Sequence, residues 1–206
     1  ALNGVKNLKT YRLPEKWDED LAYLVGLLIG DGTVTYSRAF EFTTADAFLA
    51  EEFRRIARKL FGYEVCRKAS GVQYAVSSKQ IRVFLERLDL GYCQADAKYV
   101  PAPILQAPRN IVVAFLQGVF DTDGYADKRY GNIQFSTASA RLARQIHLLL
   151  LNFGIIASLT VKQTARKPSH QINIYGADAL RFHREIGFRL PRKRERQALA
   201  SKLRMP

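Results

Sequence analysis

Residues 24–32 read Leu24-Val25-Gly26-Leu27-Leu28-Ile29-Gly30-Asp31-Gly32, and residues 116–124 read Leu116-Gln117-Gly118-Val119-Phe120-Asp121-Thr122-Asp123-Gly124. Each is an apolar, helix-like run that ends in Asp-Gly. The two aspartates lie 123 − 31 = 92 positions apart. The likeness continues downstream, where Phe42-Thr43-Thr44-Ala45 matches Phe135-Ser136-Thr137-Ala138. An amphipathic stretch follows in each copy, with Leu49, Phe53, Ile56 and Leu60 at helical spacing in one and Leu142, Ile146, Leu149 and Phe153 in the other. Both stretches stop at a glycine, Gly62 and Gly154, which suits a helix C-terminus. Two strand-like segments come next in each copy, over 63–68 and 72–77, then over 156–163 and 170–175. A last helix is expected around Ile81, Phe84, Leu85 and Leu88, and around Leu180 and Ile186. The pattern predicts an α+β protein of two pseudo-symmetric α-β-β-α-β-β-α halves.

Pro101, Pro103 and Pro108 break regular structure between the copies. The expected divisions are an N-terminal extension over 1–18, packed down by Trp17, a first half over 19–92, a linker over 93–110 and a second half over 111–206. The tail from Pro191 carries Arg192, Lys193, Arg194 and Arg196, which reads as a solvated end or as phosphate contacts.

Within the first motif, Asp18 or Asp20 can cap the helix, and Leu21 to Ile29 are apolar or small throughout, so the helix is expected to be buried on all sides. Gly26 and Gly30 lie four apart on one face, and Gly118 and Thr122 hold the same places in the second motif. Small residues at that spacing let two helix backbones approach closely, so these four residues are expected to form a helix–helix interface joining the halves. Gly32 and Gly124 are expected to end the helices in the left-handed conformation. Side-by-side helices would bring Asp31 and Asp123 out together. A helix C-terminus carries partial negative charge, and neighbouring acids repel. A divalent cation offsets both penalties. Oxygen ligands favour Mg²⁺ over zinc, with two or more ions expected at Asp31, Asp123, Gly30 and Thr122. Metal ions at a phosphodiester can activate water and stabilise the leaving oxygen. A single Asp-Gly after an apolar helix would read as a helix stop; two at matching places read as a paired metal site.

Charge agrees. Lys plus Arg total 32 against 19 Asp plus Glu, a net charge of +13, which favours a polyanionic partner over a bland solubility charge or an anionic membrane surface. Cys66 and Cys93 make neither a disulfide framework nor a zinc site and read as buried thiols in a reducing compartment. His147, His170 and His183 lack ligand spacing. No N-terminal signal pattern is seen, and the apolar run Leu21 to Ile29 is too short to span a bilayer. These readings predict an intracellular protein of the cytoplasm, nucleoid or an organelle, with no membrane partner.

The paired motif resembles the LAGLIDADG homing endonuclease family, single-chain two-motif type, over most of the chain. Leu24, Gly26, Leu27, Asp31 and Gly32 fit the motif, with Leu28 standing in for its isoleucine; Leu116, Gly118, Asp121, Asp123 and Gly124 fit it again. Val25, Ile29, Gly30, Gln117 and Thr122 depart from it without touching the final acid. The resemblance implies a monomer acting as a pseudo-dimer, antiparallel saddle-shaped sheets over double-stranded DNA, and a metal-dependent staggered break. It also implies catalytic lysines late in each half, matched by Lys98 and Lys193, which would stabilise charge on the scissile phosphate or orient water, or else contact a backbone phosphate. Thr44 and Thr137 stand where many members carry Gln or Asn. The likeness is nearest to the intein-associated branch, through Phe120-Asp121-Thr122-Asp123-Gly124 and Ile186-Gly187-Phe188. The chain begins with Ala1 and ends Met205-Pro206, so splicing activity is expected to be absent.

Strand alternation assigns faces. Phe40, Phe42, Ile133, Phe135, Ala157, Leu159 and Val161 are expected inward, leaving Glu41, Thr43, Asn132, Gln134, Ser136, Ser158, Thr160 and Lys162 outward. Gln171, Asn173 and Tyr175 oppose Ile172 and Ile174. Amide and basic side chains suit base edges and phosphates, so the DNA-binding candidates are Arg38, Arg67, Lys68, Gln73, Lys128, Arg129, Gln134, Lys162, Gln171 and Asn173. The halves differ at these places, which predicts an asymmetric target. The competing classes are a non-cutting binder on the same fold, such as an intron-RNA maturase or a transcription regulator, and a bland basic α/β domain.

Overall fold

The computed structural model describes residues 10–34, 39–165 and 167–202. Arg38, the first nine residues of the N-terminal extension and the last four residues lie outside that set. The first half runs α1 (Glu19–Asp31), β1 (Gly32–Val34), β2 (Ala39–Thr43), α2 (Ala47–Phe61), β3 (Cys66–Arg67), β4 (Gln73–Ser77) and α3 (Lys79–Arg87). The second runs α5 (Arg109–Asp123), β5 (Gly124–Ala126), β6 (Ile133–Thr137), α6 (Ala140–Leu151), β7 (Ser158–Lys162), β8 (Ser169–Ile174) and α7 (Gly176–Glu185), followed by α8 (Pro191–Lys202). Between the halves lie a 3-10 turn at Ala95–Ala97 and the one-turn helix α4 (Ala102–Leu105). The repeated α-β-β-α-β-β-α order is thus present in both halves.

Each half folds its strands into a four-stranded antiparallel sheet of the same order, β1-β2-β4-β3 and β5-β6-β8-β7. Phe40 and Phe42 face the helices and pack their rings on Phe53 of α2; Phe135 does the same with Phe120 of α5. Fully burying such a ring contributes about 1.5–3 kcal/mol. Local chemistry fixes the helix starts: Asp18, Asp46, Ser78 and Ser139 each accept a backbone N–H in the first turn that follows them. Thr44 Oγ1 accepts from Asp46 N at 3.1 Å and Thr137 Oγ1 from Ser139 N at 3.2 Å, so this threonine builds the same turn before a helix in both halves. Gly62 and Gly154 take positive φ after α2 and α6, as a helix-stopping glycine should.

Four expectations need correction. Leu159 and Val161 are 37% and 53% exposed. They share a face with Ile172, but β7 is an edge strand that overhangs the helix layer. Leu180 is likewise exposed, and Ala179 and Phe182 carry the buried face of α7. Cys66 is an exposed free thiol on the other sheet's edge strand, and Cys93 is half-buried. The tail is not a solvated end: it forms α8, which packs on α7 and buries Lys193 and Gln197. No helix among the described residues is long and apolar enough to cross a membrane.

Candidate metal centre and nucleic-acid surface

The helices α1 and α5 pack along their length, with all of Leu21 to Ile29 buried. A Cβ added at Gly26 would meet the Phe115 carbonyl and fall 3.0 Å from Gly118 Cα; one at Gly118 would fall 2.9 Å from Gly26 Cα. Backbone therefore touches backbone at this crossing, and only glycine fits. One turn further on, a Cβ at Gly30 would run into the Thr122 side chain instead. All four small residues predicted for the interface lie at this contact.

Both helices run straight into a strand. Gly32 (φ −89°, ψ 155°) and Gly124 (φ −83°, ψ 153°) are extended, not left-handed as expected. Glycine is needed there for space. The Gly32 N–H folds back onto Leu28 O, where a Cβ would lie 2.8 Å from the Leu28 carbonyl carbon. The direct helix-to-strand step leaves Asp31 exposed and Asp123 half-buried beside it at the helix ends.

Each helix end is met by a lysine. Lys98 Nζ donates to Gly30 O at 2.5 Å. Lys193 Nζ donates to Asp121 O at 2.7 Å, Phe120 O at 2.8 Å and Thr122 O at 3.2 Å. An ammonium placed on orphan C-terminal carbonyls complements the helix dipole, and neither helix has a basic residue of its own in its last turn. Lys98 follows the first half, yet its backbone is pinned by the second: Lys98 O accepts from Ser139 Oγ at 2.5 Å, and Val100 N donates to Gln145 Oε1 at 2.9 Å.

The electrostatics follow from this crowding. Burial pushes the Asp123 carboxyl up to about 6, and the charge on Asp31 adds to it, against Lys98 and Lys193. Asp31 is also raised by partial burial, with the same two lysines opposing. Burial pushes the Lys193 ammonium down to about 8 and lowers Lys98, while the acids pull both back. The two carboxyls resist ionisation side by side, and oxygen donors of this kind suit a hard divalent cation; among the described residues no third acid, histidine or cysteine joins them.

Sequence reading gave no role to the residues that brace this end. Asp121 Oδ2 accepts from Tyr23 Oη of α1 at 2.7 Å, Leu190 N at 3.1 Å and Arg189 N at 3.2 Å. Burial raises the Asp121 carboxyl to about 6 despite these donors. The Arg189 guanidinium stacks 4.3 Å from the Tyr23 ring centroid and donates to Gln117 Oε1 at 2.7 Å. Asp121 was legible as a motif match; Arg189 carried no signal, because its partners come from distant segments.

The proposed DNA contacts distribute unevenly. Lys128 and Arg129 sit exposed on the β5–β6 hairpin. Gln134, Asn173 and Gln171 share the sheet face turned away from Phe135 and Ile172, with Gln134 opposite Asn173 and Gln171 opposite Ser136. Lys162 ends the exposed edge strand β7. Lys68 Nζ is 2.5 Å from Glu41 Oε1, and Gln73 Oε1 accepts from Ser70 Oγ at 3.2 Å. Arg67 pairs with Tyr74, which puts it on the helix-side face, where it donates to Gly71 O at 2.8 Å. Arg38 lies outside the described residues.

Sequence and structure comparisons agree with this architecture. A family model described as a LAGLIDADG-like domain matches residues 18–89 and 110–187, one match for each half. The chain belongs to the LAGLIDADG-like family. It is 34% identical over 185 residues to a replication factor C small subunit from Methanocaldococcus jannaschii, with 86% of this chain and 10% of that protein aligned. It is 30% identical over 217 residues to a replicative DNA helicase DnaB from Rhodothermus marinus, covering 95% of this chain and 23% of that one. The chain therefore spans only a minor part of these relatives. Its fold is similar to that of the homing endonuclease I-DmoI solved in complex with DNA and Ca, at a TM-score of 0.63 and 20% identity over 89% of this chain and 97% of that one. It is also similar to full-length DUF199/WhiA from Thermatoga maritima, at a TM-score of 0.63 and 14% identity over 97% of this chain and 64% of that one.

Proposed function

We propose that the chain is a site-specific homing endonuclease that makes a metal-dependent, staggered double-strand break in a long, asymmetric DNA target. The observation that carries this reading is the placement of Asp31 and Asp123 at adjacent ends of two packed helices, each continuing into its own antiparallel sheet. The +13 charge supplies the attraction to a phosphate backbone. The likeness to a DNA-bound homing endonuclease fold supports it.

The Asp31 and Asp123 carboxylates fit Mg²⁺ and would hold two or more ions, while the Gly30 and Thr122 carbonyls, expected as further ligands, accept the Lys98 and Lys193 ammonium groups here. Bound there, Mg²⁺ supplies Lewis acidity to a phosphodiester and lowers the pKa of water. Asp31 and Asp123 fix where that charge sits. Lys98 and Lys193 hold the helix ends in place and add positive charge that stabilises the scissile phosphate as negative charge develops. Lys128 and Arg129 reach phosphates from the hairpin, as does Lys162 from β7, whereas Lys68 is held by Glu41 and Arg67 lies on the helix-side face, away from the DNA. Gln73, Gln134, Gln171 and Asn173 read base edges. A monomer suffices, because 19–92 and 111–206 each supply one acid and one sheet, and 93–110 connects them and delivers Lys98.

The relatives also bear on origin. A replication factor and a helicase share with this chain a segment that occupies 10% and 23% of their lengths. A segment common to proteins with such different names supports reading the chain as a mobile insert near the intein-associated branch, acting wherever its host's DNA lies.

The test is cleavage of a randomised double-stranded DNA library with Mg²⁺ and with chelator. Cut ends sharing one long, asymmetric motif, lost with chelator, are expected. Selective retention of DNA without cutting under either condition would overturn the nuclease and favour a non-cutting binder.

A further inference from the structure

The second sheet carries a concavity of about 200 Å³. Its walls are Tyr125, Tyr130 and Tyr175, which are 50%, 49% and 54% exposed. Asn132, Gln134 and Asn173 complete its polar lining with Asp127, whose carboxylate accepts from the Arg129 and Tyr130 backbone N–H groups, and Ile133 adds an apolar contact. The strand register explains the grouping. Tyr125 stands directly across from Gln134, and Gln134 across from Asn173, on the face away from the helices. The equivalent row of the first sheet is Thr33, Glu41, Ala75 and Cys66, with neither an aromatic nor an amide in it. Three exposed tyrosines on one sheet face are unfavourable unless something covers them.

Hydrogen bonding in this lining has a direction. Gln134 Nε2 donates to Asn173 Oδ1 at 2.8 Å, and Asn173 Nδ2 donates to Thr160 Oγ1 at 3.3 Å. This chain locks the Gln134 amide. It leaves Gln134 Oε1 as an acceptor beside the second Nε2 hydrogen as a donor. Asn132 Oδ1 is buried and takes no hydrogen bond from any described residue. A buried acceptor left empty costs free energy that a ligand N–H would recover.

We propose that this pocket reads one A·T base pair in the half-site bound by the second sheet, an inference that rests on the chain binding duplex DNA. In the major groove adenine presents the N6 amino group beside the N7 acceptor, and its partner thymine presents a C5-methyl group. The locked Gln134 amide matches adenine, accepting from N6–H and donating to N7. The rings of Tyr125 and Tyr175 take the thymine methyl. Guanine fails here, because its O6 would face the Gln134 acceptor. Lys128 and Arg129, on the hairpin that carries Tyr130, anchor the adjoining phosphates.

The experiment is selection of cleaved targets from a randomised duplex library by the wild-type protein, Gln134→Leu and Tyr125→Ala, followed by binding to the selected duplex with thymine replaced by uracil at that pair. The wild type is expected to prefer A·T at one position of one half-site. Gln134→Leu should lower that preference about ten-fold or more while every other position keeps its own. Uracil should weaken wild-type binding more than it weakens Tyr125→Ala binding, where Tyr175 alone still meets the methyl. Preferences kept elsewhere in the site show that each variant is folded. An unchanged profile in Gln134→Leu, or equal uracil sensitivity in Tyr125→Ala, would overturn the pocket and leave the nuclease intact. A wild-type protein that enriches no sequence would overturn both.

Discussion

At the end of α1 a single lysine bond is made, from Lys98 to Gly30 O, whereas at the end of α5 three consecutive carbonyls receive Lys193. The contrast continues one residue back. Ile29 is a plain core residue, while its counterpart Asp121 ties α5 to Tyr23 of α1 and to the Arg189–Leu190 backbone. The backbones of the two motifs are near copies, and their side-chain support is not. Asp123 consequently sits in the more enclosed and more heavily braced position, and Asp31 in the more open one. A repeat can keep two acids in register by backbone packing alone and leave each half free to find its own scaffold.

The helix crossing is where that symmetry breaks with the largest effect. Gly26→Ala forces a Cβ into the Phe115 carbonyl and Gly118 Cα, which are backbone and cannot yield, and should destabilise the fold by about 3 kcal/mol or more. Gly30→Ala clashes instead with the Thr122 side chain. That loss should be largely recovered in Gly30→Ala/Thr122→Gly, which exchanges the small residue between the halves; urea denaturation of the four-member cycle reads the coupling. Equal costs for both substitutions with no rescue would show that the crossing is not built as described.

The opposite helix ends differ as well. α1 begins with Asp20 against Arg55 and Lys59, while α5 begins after Pro108 with no side-chain cap. Partial burial pushes the Asp20 carboxyl up, but the hydrogen bonds and charges of Arg55 and Lys59 outweigh it and hold the group at about 2. A lowered acid stabilises the fold above its unfolded value near 3.8 and loses that contribution as pH falls towards about 2. Asp20→Asn should therefore flatten the acid limb of stability in that window, by about 1 kcal/mol or less because the partner cations are partly solvated. Thermal melts across the window check it.

The smallest effect concerns the sheets. Glu41 and Gln134 hold equivalent positions, yet Glu41 neutralises Lys68 whereas Gln134 joins an amide ladder. Glu41→Ala should free Lys68 for phosphate and steepen the dependence of log affinity on log salt by about 0.9, the value of one added contact. Gln134→Ala should leave that slope unchanged. Affinity measured over a salt series separates the two.

Most of the framework was legible because it rests on local periodicity. The two Asp-Gly motifs, the small residues at 26, 30, 118 and 122, and the inward phenylalanines of β2 and β6 follow from spacing within single elements. What escaped depends on distant segments or on layer edges. Leu159 and Val161 alternate correctly and are exposed because β7 is the edge strand of its sheet. Gly32 was read as a left-handed cap because the sequence cannot show that a strand begins at once. The burial of Lys193 could not be read from a basic run, since it depends on α8 folding back over α7 and β5. Arg189 is decided by partners on α1 and α5.

The most direct test of the central claim is strand-resolved cleavage of the selected target by Asp31→Asn and Asp123→Asn, with affinity measured on the same duplex. Each variant should bind within a few-fold of the wild type and lose cleavage by about 100-fold or more, the scale on which transition-state charge stabilisation is lost. Either variant cutting both strands at the wild-type rate would contradict the account.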